Sequence, residues 1–199
     1  MIISMCDLIA VTNRHLCKGD FLDRIRLLVD CRVPKILLRE KDLLPEAYEE
    51  LSHKVLEICR ATDTKCILHN YVDAALHEKA DAIHLPLQTA LTEKEKLTAF
   101  SHLGISTHSI EQVRKAEDIG AAYVTYGHVF ATDCKKDVPP RGLASLAEIT
   151  AQTELPVYAI GGIHIENVRS ALAAGAKGVC IMSTAMQAEQ KEIQKFLEL

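Results

Sequence analysis

Residues 157–182 read Val157-Tyr158-Ala159-Ile160-Gly161-Gly162-Ile163-His164-Ile165-Glu166-Asn167-Val168-Arg169-Ser170-Ala171-Leu172-Ala173-Ala174-Gly175-Ala176-Lys177-Gly178-Val179-Cys180-Ile181-Met182. A short apolar run, a glycine pair, an amphipathic stretch over Ile165–Ala174, a glycine placed as a left-handed C-cap and a second apolar run make one βαβ unit. The same alternation extends in both directions. Strand-like runs stand at Leu8–Thr12, Lys35–Leu38, Cys66–His69, Ala82–Leu85, Leu103–Thr107, Tyr123–Tyr126, Val157–Ile160 and Gly178–Met182. Helix-like stretches lie at Asp20–Cys31, Pro45–Ala61, Tyr71–Lys79, Thr92–Phe100, Ile110–Ile119, Leu143–Gln152, Ile165–Ala174 and Ala185–Leu197. Pro45 sits where a first-turn proline belongs, Ser109 can cap the helix after it, and Gly120 and Gly175 follow helices.

Eight such units in 199 residues leave about 25 residues each, the lower end of the size range of a (β/α)8 barrel. An open doubly wound sheet rarely needs so many successive right-handed units of even length. The expectation is therefore an α/β chain forming one (β/α)8 TIM barrel over residues 1–199, with no linker or low-complexity segment.

Composition narrows the function. Apolar residues are 48% and charged residues 25%, which excludes a disordered chain, and aromatics at 5% with no Trp leave Ile, Leu, Val and Ala to fill the core. Lys plus Arg number 23 against 27 Asp plus Glu, a net charge of −4, and no basic block is present, so no nucleic-acid partner is expected. The first residues carry no basic region and no stretch approaches ~18 uninterrupted apolar residues, so neither a signal peptide nor a membrane partner is expected and the location reads as cytoplasmic. The 7 cysteines are an odd number without a C-x-x-C pair and fit reduced thiols. Cys66 with His69, and His15 with Cys17, approach ligand spacing, but neither joins a second pair, so no structural metal is expected.

Active sites of such barrels lie on the loops after the strands. After the seventh and eighth strands, Gly161-Gly162 and Ser183-Thr184 offer backbone N–H groups and a helix start, suited to a phosphate ester; the plainer alternative is a tight turn and a helix cap. After the sixth strand, His128 opens a loop that carries Cys134, Lys135 and Lys136. An imidazole that accepts and returns a proton near neutral pH makes His128 the acid/base candidate, beside the plainer reading of a hydrogen-bonded loop histidine. Cys134, next to Lys135 and Lys136, could serve as a nucleophile, but no base and orienter stand near it in sequence. Arg39 and Lys41 imply an anionic group, unless they pair with Glu40 and Asp42. His69, His84 and His108 at strand ends could bind a metal, though such histidines are more often hydrogen-bonded wall residues.

Taken together, Leu38-Arg39-Glu40-Lys41, Asn70, Ile83-His84-Leu85, Ser106-Thr107-His108-Ser109, Phe130-x-Thr132-x-x-Lys135, Ala159-Ile160-Gly161-Gly162-Ile163 and Met182-Ser183 resemble the thiamine phosphate synthase/TenI superfamily, in its order and over nearly the whole chain. The resemblance implies one of two reactions: joining a pyrimidine pyrophosphate to thiazole phosphate, or isomerising a thiazole phosphate precursor to its aromatic form. The first requires Mg²⁺ at the leaving pyrophosphate, so carboxylates separate the branches. Where that branch has Asn-Asp, this chain has Asn70-Tyr71; where it has His-Leu-Gly-Gln-x-Asp, this chain has His84-Leu85-Pro86-Leu87-Gln88-Thr89; and the Gln of Gln-x-Arg-x-Lys is Leu37.

Gly127-His128-Val129-Phe130 with Thr132-Asp133-Cys134-Lys135-Lys136 is instead similar to the thiazole tautomerase branch, which implies His128 as the proton carrier. On that resemblance the expected activity is a cofactor-free isomerase of thiamine biosynthesis acting on a thiazole phosphate ester. Gly161, Gly162, Ser183 and Thr184 would hold the phosphate, and Arg39, Lys41, Asn70, Thr132 and Lys135 would contact the rest. Two alternatives stand beside it: a divergent synthase using displaced carboxylates such as Asp73 or Glu93, and a non-catalytic thiazole-phosphate-binding protein. Members of the family commonly pair, and a homodimer is compatible with this chain.

Overall fold

In the computed structural model, which describes residues 7–132 and 138–199, the strands close into a barrel. β1 (Asp7–Val11), β2 (Lys35–Leu38), β3 (Lys65–His69), β4 (Ala82–Pro86), β5 (His102–Thr107), β6 (Tyr123–Gly127), β7 (Val157–Ile160) and β8 (Gly178–Ile181) pair in parallel and in chain order. β8 returns to β1 with Leu8 beside Val179 and Ile9 beside Cys180. Such strands are covered on both faces, which explains why they read as continuous apolar runs. Alternate residues serve two apolar layers. Ile9, Val11, Leu37, Ile67, Tyr123 and Tyr158 fill the barrel interior. Leu8, Ala10, Ile36, Leu38, Leu68 and Val124 pack outward under the helices.

The helices are α1 (Phe21–Asp30), α2 (Pro45–Arg60), α3 (Val72–His77), α4 (Leu87–Thr92), α5 (Ile110–Asp118), α6 (Gly142–Thr150), α7 (Val168–Ala173), α8 (Ser183–Gln187) and α9 (Gln190–Leu197). Their ends follow local chemistry. Pro45 opens α2, the Ser109 side chain accepts from the Gln112 N–H at the start of α5, and Gly120 and Gly175 take positive φ after α5 and α7. No helix among the described residues is long and apolar enough to cross a membrane.

Two expected helices differ. The stretch Thr92–Phe100 is not one α-helix: α4 starts directly after Pro86 and ends at Thr92, and Lys94–Ala99 form a 3₁₀ helix. Leu97 and Phe100, three apart, are both buried, and a three-residue repeat brings such a pair to one face. The stretch Ala185–Leu197 starts earlier, at Ser183, and is broken between α8 and α9. The Glu192 side chain accepts from the Glu189 N–H at 3.3 Å, so a fresh helix start satisfies its own orphan donor there.

Candidate functional site

A cavity of about 1060 Å³ opens at the C-terminal ends of the strands, and its wall joins residues from every part of the barrel. On the β6–β7 side, backbone builds the wall. Val129 N–H donates to Ile160 O at 2.9 Å, Phe130 N–H to Gly161 O at 3.0 Å and Arg141 N–H to His128 O at 2.9 Å. The Gly127 carbonyl accepts from His108 Nδ1–H at 2.8 Å and from Arg141 Nε at 3.0 Å. His128, 5% exposed, donates Nε2–H to the Val138 carbonyl at 3.1 Å, which leaves Nδ1 as the basic nitrogen of the neutral ring.

The glycine pair is there for space. Gly161 and Gly162 have φ of +97° and +66°. A Cβ on Gly161 would stand 2.2 Å from His128 Cβ, and one on Gly162 would stand 2.3 Å from the Ala131 carbonyl oxygen. Neither position accepts a side chain without moving the loop that carries His128. Asn167 closes this turn: its Nδ2 donates to Gly162 O and its Oδ1 accepts from His164 N–H, each at 2.8 Å.

The β1–β2 side is held by charge. Glu40, 2% exposed, accepts from Thr12 Oγ1 at 2.6 Å and from the Arg14 N–H, and Arg14 reaches on to Asp42 at 2.7 Å. Hydrogen bonds from Arg14 and His15 hold the Asp42 carboxyl well below the usual carboxylate range. Glu40 and Asp42 thus both engage Arg14, while Arg39 and Lys41 line the cavity.

Beneath them lie two imidazoles. His69 and His84 are register partners on β3 and β4, with ring centroids 6.1 Å apart and planes 16° from parallel. His84 bonds Tyr123 OH through Nδ1 at 3.0 Å and Ser106 Oγ through Nε2 at 2.9 Å. Burial, then His84 and the charges of Lys41 and Arg39, push His69 down to about 2; burial and Lys41 push His84 down to about 3. Both rings are neutral at physiological pH.

The structure brings His128, Arg39, Lys41, Thr132, Gly161, Gly162 and Ser183 to one wall. Asn70 is not on it. Strand alternation turns His69 inward, and Asn70 leaves β3 at φ +70° with its N–H donating to His84 O at 3.2 Å. Thr184 is also off the cavity: one residue along α8 is a turn of about 100°, which carries Thr184 to an adjoining groove, its carbonyl accepting from Arg24 at 3.3 Å. Lys135, like Asp133, Cys134 and Lys136, lies outside the described residues.

The close-spaced pairs do not form ligand sets. Cys66 packs in the outer layer while His69 faces the cavity, His15 bonds Asp42, and Cys17 Sγ–H donates to Met186 Sδ. Sequence reading offered Glu40 and Asp42 as rim partners of Arg39 and Lys41 and missed Arg14 as the cation they hold; it also missed Tyr123 as the partner of His84, and Asn167 and Arg141 as clamps. Only Asn167, five residues after the glycine pair, stood close enough in sequence to be suspected.

A family profile described as thiamine monophosphate synthase matches residues 8–185. The chain belongs to the thiamine monophosphate synthase family. It is 32% identical to the thiamine-phosphate synthase of Syntrophomonas wolfei over 201 residues, covering 96% of this chain and 94% of that one. It is 36% identical over 160 residues to the thiamine-phosphate synthase of a Roseiflexus species, covering 79% and 68%. Among solved structures it resembles the thiamine phosphate pyrophosphorylase from Pyrococcus furiosus, with a TM-score of 0.84 and 28% identity over 97% of this chain and 94% of that one.

For the synthase branch of the family, Mg²⁺ would need oxygen ligands, carboxylates above all. No Asp or Glu lines the cavity among the described residues. Asp73 and Glu93, the displaced carboxylates of the synthase alternative, do not line it, and both pair with Lys96, at 2.8 and 3.0 Å. The described wall of this family member does not fit the ion.

Proposed function

We propose that the chain isomerises a non-aromatic 2-carboxy-thiazolylidene ethyl phosphate to the aromatic carboxythiazole ethyl phosphate, with His128 carrying the proton and without a metal or cofactor. The observation behind this reading is the chemistry of the wall: a buried imidazole with a backbone-fixed Nε2–H faces a cavity lined by Arg39, Lys41, the neutral rings of His69 and His84, and glycines, with no carboxylate among the described residues. The C2–H bond breaks as His128 Nδ1 takes the proton. The electron pair passes through the ring to the exocyclic double bond, whose carbon takes the proton back. Aromaticity drives the step, so the protein has to orient the ring and shuttle one proton. The phosphate rests on Gly162 and Ser183, away from the reacting carbon, and binding there holds C2 near His128.

The names carried by the relatives favour a second reading, Mg²⁺-dependent coupling of a pyrimidine pyrophosphate to thiazole phosphate. One assay separates the two. The purified protein is added to freshly made precursor with EDTA present, and aromatic product is followed by ultraviolet absorbance. Isomerisation unaffected by EDTA is the expected result. Coupled product formed only from both substrates with Mg²⁺ would replace this reading with the second, and binding without turnover would make the chain a carrier.

A further inference from the structure

The stretch Val138-Pro139-Pro140-Arg141 meets His128 at three points. The His128 ring donates Nε2–H to the Val138 carbonyl at 3.1 Å. The His128 carbonyl accepts from the Arg141 N–H at 2.9 Å, and the Gly127 carbonyl before it accepts from Arg141 Nε at 3.0 Å. The pairing continues one residue further, where the Gly142 N–H donates to Val129 O at 3.1 Å. Two of the three contacts thus come from one residue, whose guanidinium lies 5.9 Å over the ring of the buried Tyr126. The third is stiffened by its neighbours. A residue before proline is confined to extended backbone, and Pro139 and Pro140 have fixed φ and no N–H to draw the chain elsewhere.

We infer that Arg141 is the positioning residue of the proton transfer: it holds the peptide groups on both sides of the His128 Cα and sets, three residues back, the carbonyl that orients the ring. This rests on the reading of His128 as the proton carrier. A base that works on a carbon needs a third group to fix its angle, and here main chain does what a carboxylate does in other sites. Arg141 is exposed and does not line the cavity, so it acts through His128 and not on the substrate. When the ring takes the proton, its Nε2–H bond to the Val138 carbonyl becomes charge-assisted and roughly twice as strong. The clamp is therefore matched to the ring in the state reached during the step.

The test is Arg141→Ala in the full chain. The residue is exposed, and its loss leaves the Gly127 carbonyl bonded to His108 Nδ1–H at 2.8 Å, so the variant should fold. Its kcat for isomerisation should fall roughly 10- to 100-fold while KM stays within about 2-fold of the unaltered chain. Arg141→Lys, which keeps a donor but loses the planar fork, should recover part of the loss. Guanidinium ion added to Arg141→Ala should recover more, and should do nothing for His128→Ala. A second readout needs no turnover: the carbonyl-bonded His128 Nε2–H should give a slowly exchanging proton resonance that Arg141→Ala weakens and guanidinium restores. An unchanged kcat, a change in KM alone, or a fall in kcat with the resonance unmoved overturns the inference. If Arg141→Ala fails to fold by circular dichroism, Arg141→Lys carries the test, and a lysine variant equal to the unaltered chain in both readouts overturns it. A chain that does not isomerise retires the reaction, and the resonance then decides alone: its loss in the variant keeps Arg141 as the holder of the ring, and its persistence overturns that too.

Discussion

The two sides of the cavity mouth are built by different means. On the β6–β7 side, the segment that carries His128 is fixed by main-chain hydrogen bonds from Val129 to Ile160, from Phe130 to Gly161 and from Arg141 to the His128 carbonyl, and by the lack of a Cβ on Gly161. On the β1–β4 side, Glu40, Arg14 and Asp42 form a charge network above two stacked, neutral imidazoles. The first arrangement sets the position of one nitrogen and is sensitive to volume. The second sets a local field and is sensitive to protonation. Proton transfer needs the first property; recognition of an anionic end needs the second.

The largest effect should come from His128→Ala. Loss of an acid/base group lowers the rate by about 10²–10⁴-fold, whereas the proposed phosphate contacts, Gly162 and Ser183, lie on other loops, so affinity for a thiazole phosphate ester should stay within a few-fold of the unaltered chain. Absorbance kinetics and calorimetry on the same preparation test this. A variant with full activity would take His128 out of the chemistry and end the division of labour between the two sides.

Gly161→Ala comes next. A left-handed alanine costs about 1–3 kcal/mol, and its Cβ also collides with His128, so both urea stability and turnover should fall. Gly120→Ala is the control: φ is +80°, but nothing lies within 4 Å of the added carbon. It should lose stability and keep its turnover. Equal turnover losses in both variants would show that the contact with His128 is not what matters.

The remaining effect is on the other side and depends on pH. His69 and His84 are held at about 2 and about 3 in the folded chain, against ~6.5 for an exposed imidazole. Between those values the unfolded chain binds more protons, so stability is fully present above about pH 6.5 and drains away as pH falls towards the folded values, at up to about 1.4 kcal/mol per pH unit for each ring. Urea unfolding at pH 7 and pH 5 should show this loss, and folded His69→Leu should lose about one ring's share less. Identical losses in both proteins would mean that His69 is not desolvated in solution.

Much of this architecture was legible because it is local. Pro45, Ser109, Gly120 and Gly175 mark helix ends by their own backbone chemistry, and apolar runs covered on both faces announce parallel strands. His128, Arg39, Lys41 and the glycine pair stood at strand ends, where a barrel places its site. Thr92–Phe100 and Ala185–Leu197 were misjudged because an apolar spacing of three suits a 3₁₀ turn as well as an α-helix, and because a helix can restart on a Glu-x-x-Glu box without a glycine between.

Periodicity, capping and motif order are properties of neighbours along the chain, and they determined the barrel, the family and the strand ends that carry chemistry. Partner choice is a property of neighbours in space. That Glu40 takes Arg14 from 26 residues away, that His84 finds Tyr123 from 39 away and so leaves His69 Nδ1 as the unpaired atom, and that Asn70 and Thr184 turn off the cavity, all depend on closing the barrel. Only closure removes water from those groups, and only without water does one hydrogen bond or one added Cβ weigh enough to matter.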